Sequence, residues 1–212
     1  MKSEIKTLLA AALLAGSLGS ASAITTVAGI SFQDNAFADT VLASSGSFTF
    51  GGAATLQAAV TGPALTKYAF SHDATAYIQL GFTDNYLVNG AGNDLALFEY
   101  GVADIFGISL TIGGISHSYQ SVATGINATV DGVTYGVNVA QVNLDDFGVG
   151  AGAQLTSIVV GMGIDNGGSV PSLGVAGALN SAPQNGTVPE GGTTISLLGM
   201  ACLALGALKR KI

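Results

Sequence analysis

Between Ile24 and Asn180 the apolar positions recur at every second residue over short stretches, the period of a half-buried β-strand. Ala76, Ile78, Leu80 and Phe82 alternate with Tyr77, Gln79 and Gly81. Phe106, Ile108, Leu110 and Ile112 alternate with Gly107, Ser109 and Thr111. Both patterns predict strands with one wet face. The run Leu95 to Tyr100 is apolar on both faces and predicts a central strand. Leu155 to Ile164 and Leu173 to Leu179 are further strand candidates. The clearest local signal is Asp131-Gly132 between Gly125–Val130 and Val133–Val139, because Asp-Gly favours the type I′ turn that matches strand twist. Val133, Tyr135, Val137 and Val139 share a face. The phase then slips to Val142 and Leu144, predicting a bulge near Ala140-Gln141. No helical period of useful length occurs between the termini. Many short strands with Gly, Asn, Asp and Ser turns predict an all-β domain over 24–180, an antiparallel β-sandwich of jelly-roll type. Residues 181–187, small and polar, read as a flexible spacer.

The ends follow a different pattern. Lys2 and Lys6 precede the apolar run Leu8 to Leu18, and Ala21-Ser22-Ala23 follows. These are the parts of a signal peptide over 1–23, whose helix is cut after Ala23 by signal peptidase because its pocket admits only small side chains, here Ala21 and Ala23. At the other end Pro189 and Gly191-Gly192 break regular structure before an apolar helix that closes on Lys209, Arg210 and Lys211. Basic residues stay on the cytoplasmic side. The stretch from Thr193 to Leu208 is shorter than the ~20 residues that span a bilayer comfortably, so it reads as a marginal, temporary inner-membrane anchor.

Charge sharpens this division. The 212 residues include 31 Gly and no Trp, and only 9% are charged. Of six basic residues, Lys67 alone lies between the two ends; of thirteen acidic ones, only Glu4 and Glu190 lie outside. The formal charge of −7 for the whole chain therefore becomes −10 for the stretch between. Such a domain lacks the clustered Lys and Arg that neutralise phosphates, which argues against nucleic acid as a partner. One Cys, Cys202 in the tail, and two His allow no disulfide framework within the chain and disfavour a Cys/His zinc site.

The ordered set Val188-Pro189-Glu190, a single apolar helix and Lys209-Arg210-Lys211 resembles the PEP-CTERM sorting signal and its VPDSG-type variants, which are found on exported bacterial proteins and processed by an exosortase. The resemblance covers Val188 to Ile212, about a tenth of the chain; Gly191 stands where a second Pro is frequent. It implies that an exosortase acts at the motif and removes the helix, leaving the protein released or attached at the cell surface. It also implies association with extracellular polysaccharide or biofilm.

The candidate chemistry of the domain lies in its loops. No nucleophile elbow, Walker loop, H-E-x-x-H or dinucleotide fingerprint occurs. His72, in a Ser71-His72-Asp73 turn, and His117, in a Ser-flanked segment, read as surface histidines, and no catalytic residue is assigned. Asp84 to Asp94 concentrates oxygen side chains among glycines, and Asp84, Asn85, Asn89 and Asp94 are candidate ligands for calcium, which takes six to eight oxygens. Tyr86 occupies a ligand position of the EF-hand template, which therefore does not fit. An Asx-rich turn without metal is the competing reading. The stretch through Glu99 is similar to a D-N-x-x-V-x-G-x-G-x-D-L-x-x-F-E pattern of exported bacterial β-sandwich modules. Asp145-Asp146 and Asp165-Asn166 are further acidic turns. The expectation is an exported, non-enzymatic surface or matrix protein. The alternatives are a carbohydrate-binding module, with Tyr77, Tyr86, Tyr100, Tyr119 or Tyr135 stacking on sugars, or a carbohydrate-active hydrolase using loop carboxylates.

Overall fold

The computed structural model describes residues 23–163 and 170–184, and Ile24–Asn185 form one compact unit. The signal segment with Ala21, the Asp165 loop, and the sorting motif with its helix and basic end lie outside the described residues. In chain order the strands are β1 (Ile24–Val27), β2 (Ile30–Gln33), β3 (Thr40–Ser45), β4 (Thr49–Gly51), β5 (Tyr68–Phe70), β6 (Tyr77–Gly81), β7 (Asn85–Val88) and β8 (Leu95–Tyr100). There follow β9 (Ile105–Ser109), β10 (His117–Gln120), β11 (Val122–Val130), β12 (Val133–Val142), β13 (Gln154–Leu155), β14 (Ser157–Gly161), β15 (Leu173–Ala178) and β16 (Ser181–Pro183). One helical turn, α1 (Leu56–Val60), is capped by Thr55, whose hydroxyl accepts from Ala58 N. No helix among the described residues is long and apolar enough to cross a membrane.

Every strand pair is antiparallel. Two sheets dominate: a five-stranded one in the order β10-β9-β14-β6-β3 and a six-stranded one in the order β11-β12-β8-β15-β5-β4. Side chains from both, including Ile78, Leu80, Phe106 and Ile158 from the first and Leu95, Leu97, Val137 and Val175 from the second, belong to one buried apolar cluster. Strand β8 is central and buried along its whole length. One reason is that Phe32 of β2 covers Phe98, with ring centroids 6.0 Å apart.

The predicted hairpin forms as β11–β12. Asp131 and Gly132 take φ of 49° and 79°, and Val130 stands opposite Val133, as a type I′ turn requires. The bulge is elsewhere than expected. Strand β12 pairs with β8 without a break from Val137 to Val142, and the register slips instead on β11 between Ala123 and Asn127, where Gly125 takes φ of 77°. The lost alternation has another cause: Val137 to Ala140 are all buried, so the strand is covered on both faces.

Three further boundaries differ from the sequence pattern. Apolar alternation continues past β9, yet the strand stops at Ser109, whose hydroxyl donates to Thr111 O, and Ile112 is exposed. The stretch 155–161 divides at Thr156, with Leu155 pairing in a small sheet with β7 and Ser157 onward pairing with β6. The expected spacer begins later than 181, because Ser181–Pro183 pair with β7. An open edge on β7 accepts them, and Gln184 Nε2 closes the turn by donating to Phe82 O and Asn85 O.

The junction of these elements is Asp94, at 0% exposure. Its Oδ1 accepts from Gly90 N at 2.7 Å and from Asn180 Nδ2 at 2.8 Å, and its Oδ2 accepts from Leu144 N at 2.8 Å. Its main chain donates to Val142 O and accepts from Leu179 N. One residue thus ties the start of β8 to the ends of β12 and β15. Replacing Asp94 by Asn puts an amide N–H against at least one of these buried donors. The expected cost is about 2–4 kcal/mol, read as a lowered urea midpoint at unchanged slope.

Candidate functional site

The solvent face of the five-stranded sheet carries a groove of about 720 Å³. Its floor is a row across four strands: Ser118 lies opposite Gly107, Gly107 opposite Gly161, and Gly161 opposite Tyr77. The two glycines lie side by side for a steric reason. A Cβ at Gly161 would stand 3.1 Å from Gly107 O, and one at Gly107 would stand 3.2 Å from Ser116 Oγ. The turn around Gly113 forms one wall, where Gly114 N donates to Thr111 O. Ala74 and Thr75 form the other. The lining offers hydroxyls of Thr75, Ser109, Ser116 and Ser118 and the phenol of Tyr77, between the apolar Ile105, Ile112 and Val159; among the described residues no charged side chain lines it.

Behind the groove lies a buried polar cluster. Glu99, at 0% exposure, sits on β8; Asp104, at 4%, immediately precedes β9; Ser121, at 1%, immediately follows β10. Glu99 Oε1 accepts from Asp104 N at 2.7 Å and from the Ser121 hydroxyl. Ser121 Oγ also accepts from Asp104 N, and Ser121 N donates to Asp104 O at 2.9 Å. Glu99 Oε2 and Asp104 Oδ1 are buried without a hydrogen-bond partner. Burial pushes the Glu99 carboxyl up to about 7; the bonds from Ser121 and Asp104 N oppose this, and the Asp104 charge adds to it.

The four candidate calcium ligands divide between different partners. Asp84 adjoins Asp39, whose Oδ2 accepts from Thr83 N and Oγ1 at 2.8 Å each. Burial and then the Asp39 charge hold the Asp84 carboxyl above its ordinary value. Asn85, with its amide nitrogen turned toward them, donates to Asn35 O at 2.8 Å and Asp84 Oδ1 at 2.9 Å. Asn89 instead donates to Asp145 Oδ1 and Val149 O, and both Asp94 oxygens face the N–H donors described above. Among the described residues no three His, Cys, Asp or Glu side chains converge on one point.

The other sequence candidates also separate. Asp145 and Asp146 lie on a 3-10 turn, Leu144–Phe147, and diverge: Asp145 holds Asn89, while Asp146 accepts from Tyr119 OH at 2.8 Å. His117 packs edge-on against Phe147 at 4.7 Å, and His72 against Phe70 at 5.3 Å. Of the five tyrosines considered for sugar stacking, Tyr77 lines the groove. Tyr100 and Tyr135 instead pack with Tyr68, whose phenol is pushed up to about 12, chiefly by its bond to Tyr135. Residues missed in the sequence are Gly107 and Gly161. Their signal is glycine at a wet-face position inside two strand patterns, which marks a close approach of backbone or ligand.

Comparison with protein-family models, with curated proteins and with solved structures finds no match to this chain.

Glu99 sets a pH dependence with a definite sign. Its folded value of about 7 lies above the ordinary 4.5, so the folded state holds this proton more tightly than the unfolded chain does. The contribution is fully present below pH 4.5 and is lost as pH rises through about 7. Glu99→Gln, which keeps an acceptor oxygen and loses the charge, is expected to raise stability at pH 8 by on the order of 2 kcal/mol and not at pH 4. Thermal melts of both proteins across that range check it.

Proposed function

We propose that this chain is an exported, non-enzymatic cell-surface or extracellular-matrix protein whose β-domain holds a neutral polysaccharide in the groove of its five-stranded sheet. The observation that carries the reading is the groove's composition: glycines in the floor, one aromatic side chain and several hydroxyls, with no charge among the described lining residues. Sugars present apolar faces and hydroxyl edges, and such a lining matches both. An anionic polymer would meet repulsion from a domain of formal charge −10. A hydrolase would place two carboxylates roughly 5–9.5 Å apart across the scissile bond; the lining instead offers neutral donors and acceptors, which favours binding without turnover. One apolar cluster shared by two antiparallel sheets supports a β-sandwich, with a jelly-roll as its closest layout.

Delivery rests on the two ends: export by the signal peptide, transient insertion of the apolar helix, and processing by an exosortase at Val188-Pro189-Glu190. Truncating the chain before Val188 is expected to abolish that processing. Identical maturation and destination of full-length and truncated protein would refute the sorting role.

Binding is tested by calorimetry with neutral and anionic oligosaccharides. Neutral chains are expected to bind, and Tyr77→Ala to weaken them about tenfold, the loss of roughly 1.4 kcal/mol of ring contact. Binding of anionic chains alone, or an unchanged affinity for Tyr77→Ala, would overturn the groove as the site.

A further inference from the structure

The β9–β10 hairpin supplies Ile105, Gly107, Ser109, Ser116 and Ser118 to the groove. It leaves the six-stranded sheet after β8 and returns to it at β11, so the chain crosses between the sheets at both ends of the hairpin. Glu99 stands at both crossings, because Asp104 N and the Ser121 hydroxyl meet on the same carboxylate oxygen, Oε1. Beyond this point the hairpin is held to its sheet by three register pairs, Ser109–Val159, Ile108–Val160 and Gly107–Gly161, because β10 pairs only with β9.

Two atoms of this fastening lack partners: Glu99 Oε2 and Asp104 Oδ1, both in side chains more than nine-tenths buried. Buried acceptors without a hydrogen-bond partner are costly, and a proton on Glu99 removes the buried charge there. Among the described residues the neighbours of Glu99 offer no cation. Across the strand it stands opposite Asn138 of β12 and Leu173 of β15, and Ser172 lies beside it. The charge that acts on it is that of Asp104. Lys67 is engaged elsewhere, donating to Thr61 O at 2.6 Å.

We propose that a proton held by Glu99 fastens the β9–β10 hairpin to the six-stranded sheet, so that the groove is firm in mild acid and loosens as the proton leaves. With the proton bound, Glu99 sets no charge against that of Asp104. Its loss to solvent puts a second buried negative charge at the root of the hairpin, with neutral N–H and O–H groups as its partners. Separation of Asp104 from Glu99 relieves this repulsion and moves the first residue of β9 with it. Glu99 is in this sense a positioning residue, acting on the groove through the hairpin. The effect on ligand rests on the groove being the polysaccharide site; the effect on the hairpin does not.

The test is amide hydrogen exchange of the full chain at pH 5 and pH 8, corrected for intrinsic chemical rates and followed by mass spectrometry. Protection of residues 105–120 is expected to fall about tenfold between the two pH values, the consequence of one pK unit of coupling. Protection of β8 and β12 is expected to hold. Glu99→Gln is expected to remove the pH response of the hairpin, and Asp104→Asn, which takes away a charge acting on Glu99, to reduce it. An infrared band of a buried protonated carboxyl at pH 5, absent in Glu99→Gln, is the accompanying signature. Equal protection of the wild-type hairpin at both pH values overturns the proposal whether or not either variant folds, as does a folded Glu99→Gln that keeps the wild-type response. A neutral oligosaccharide, titrated in parallel, is expected to bind more tightly at pH 5. Equal affinity at both pH values breaks the link to the groove while leaving the groove as the site. Absence of binding at both removes the groove reading and leaves hydrogen exchange to decide the fastening.

Discussion

Asp94 is a carboxylate removed from water and held by N–H groups, and the arrangement of the largest sheet follows from it. Charge this deeply buried is tolerated only when each oxygen finds donors. Gly90 N, Asn180 Nδ2 and Leu144 N meet that demand, and each comes from a different part of the chain. The 84–94 loop, the exit from β12 and the exit from β15 are therefore fixed relative to one another before any apolar contact is counted. The same constraint recurs at smaller scale. Asp39 receives Thr83 N, Asp73 receives Ser47 N, and Asp131 receives Gly52 N across 79 positions of sequence. In a domain with Lys67 as its lone basic side chain, backbone N–H groups take the part that lysines and arginines play in more highly charged proteins.

Glu99 shows the limit of that solution. It lies on β8, the strand that Asp94 immediately precedes, and is equally buried, yet one of its oxygens has no hydrogen-bond partner. Asp94 meets three N–H groups because loops end around it. Glu99 stands among strand neighbours, and its hydrogen bonds come from the crossings at Asp104 and Ser121, with the Ser172 backbone beside them. Whether a buried carboxyl has both oxygens bonded is thus set by how many free backbone donors the local topology leaves over.

Where one face of a strand is wet, its pattern was legible: β6, the start of β9 and the type I′ hairpin follow directly from alternation and the Asp131-Gly132 pair. The central position of β8 was legible from two-sided apolarity. Alternation misled where burial became two-sided, as in β12, since a covered strand and a bulged strand lose phase in the same way. It also misled at 181–183, where small polar residues look like a spacer but an open edge on β7 supplies partners that no local pattern encodes. The acidic loop was half legible. Asp84 and Asn85 do adjoin, but the use of Asn89 and Asp94 is decided by Asp145, Asn180 and Leu144, which lie 50 or more positions away. The groove was least legible, because Gly107 and Gly161 gain meaning only when β9 and β14 pair.

An uncharged groove in a strongly acidic domain has a physical consequence for how such a protein would work on a polymer. The domain's own field reaches about 8 Å at physiological salt and opposes the close approach of a second copy. A neutral ligand passes through that field without gain or loss, so its binding depends on ring contact, hydroxyl pairing and the release of water from the exposed Ile105 and Ile112. Those terms are individually modest, and a shallow site of this kind holds a single short glycan weakly. A polymer with many equivalent segments removes the difficulty, since a chain released from one domain is recaptured by the next. Mutual repulsion then acts as spacing along the polymer, which connects the charge pattern of the sequence to the neutrality of the groove.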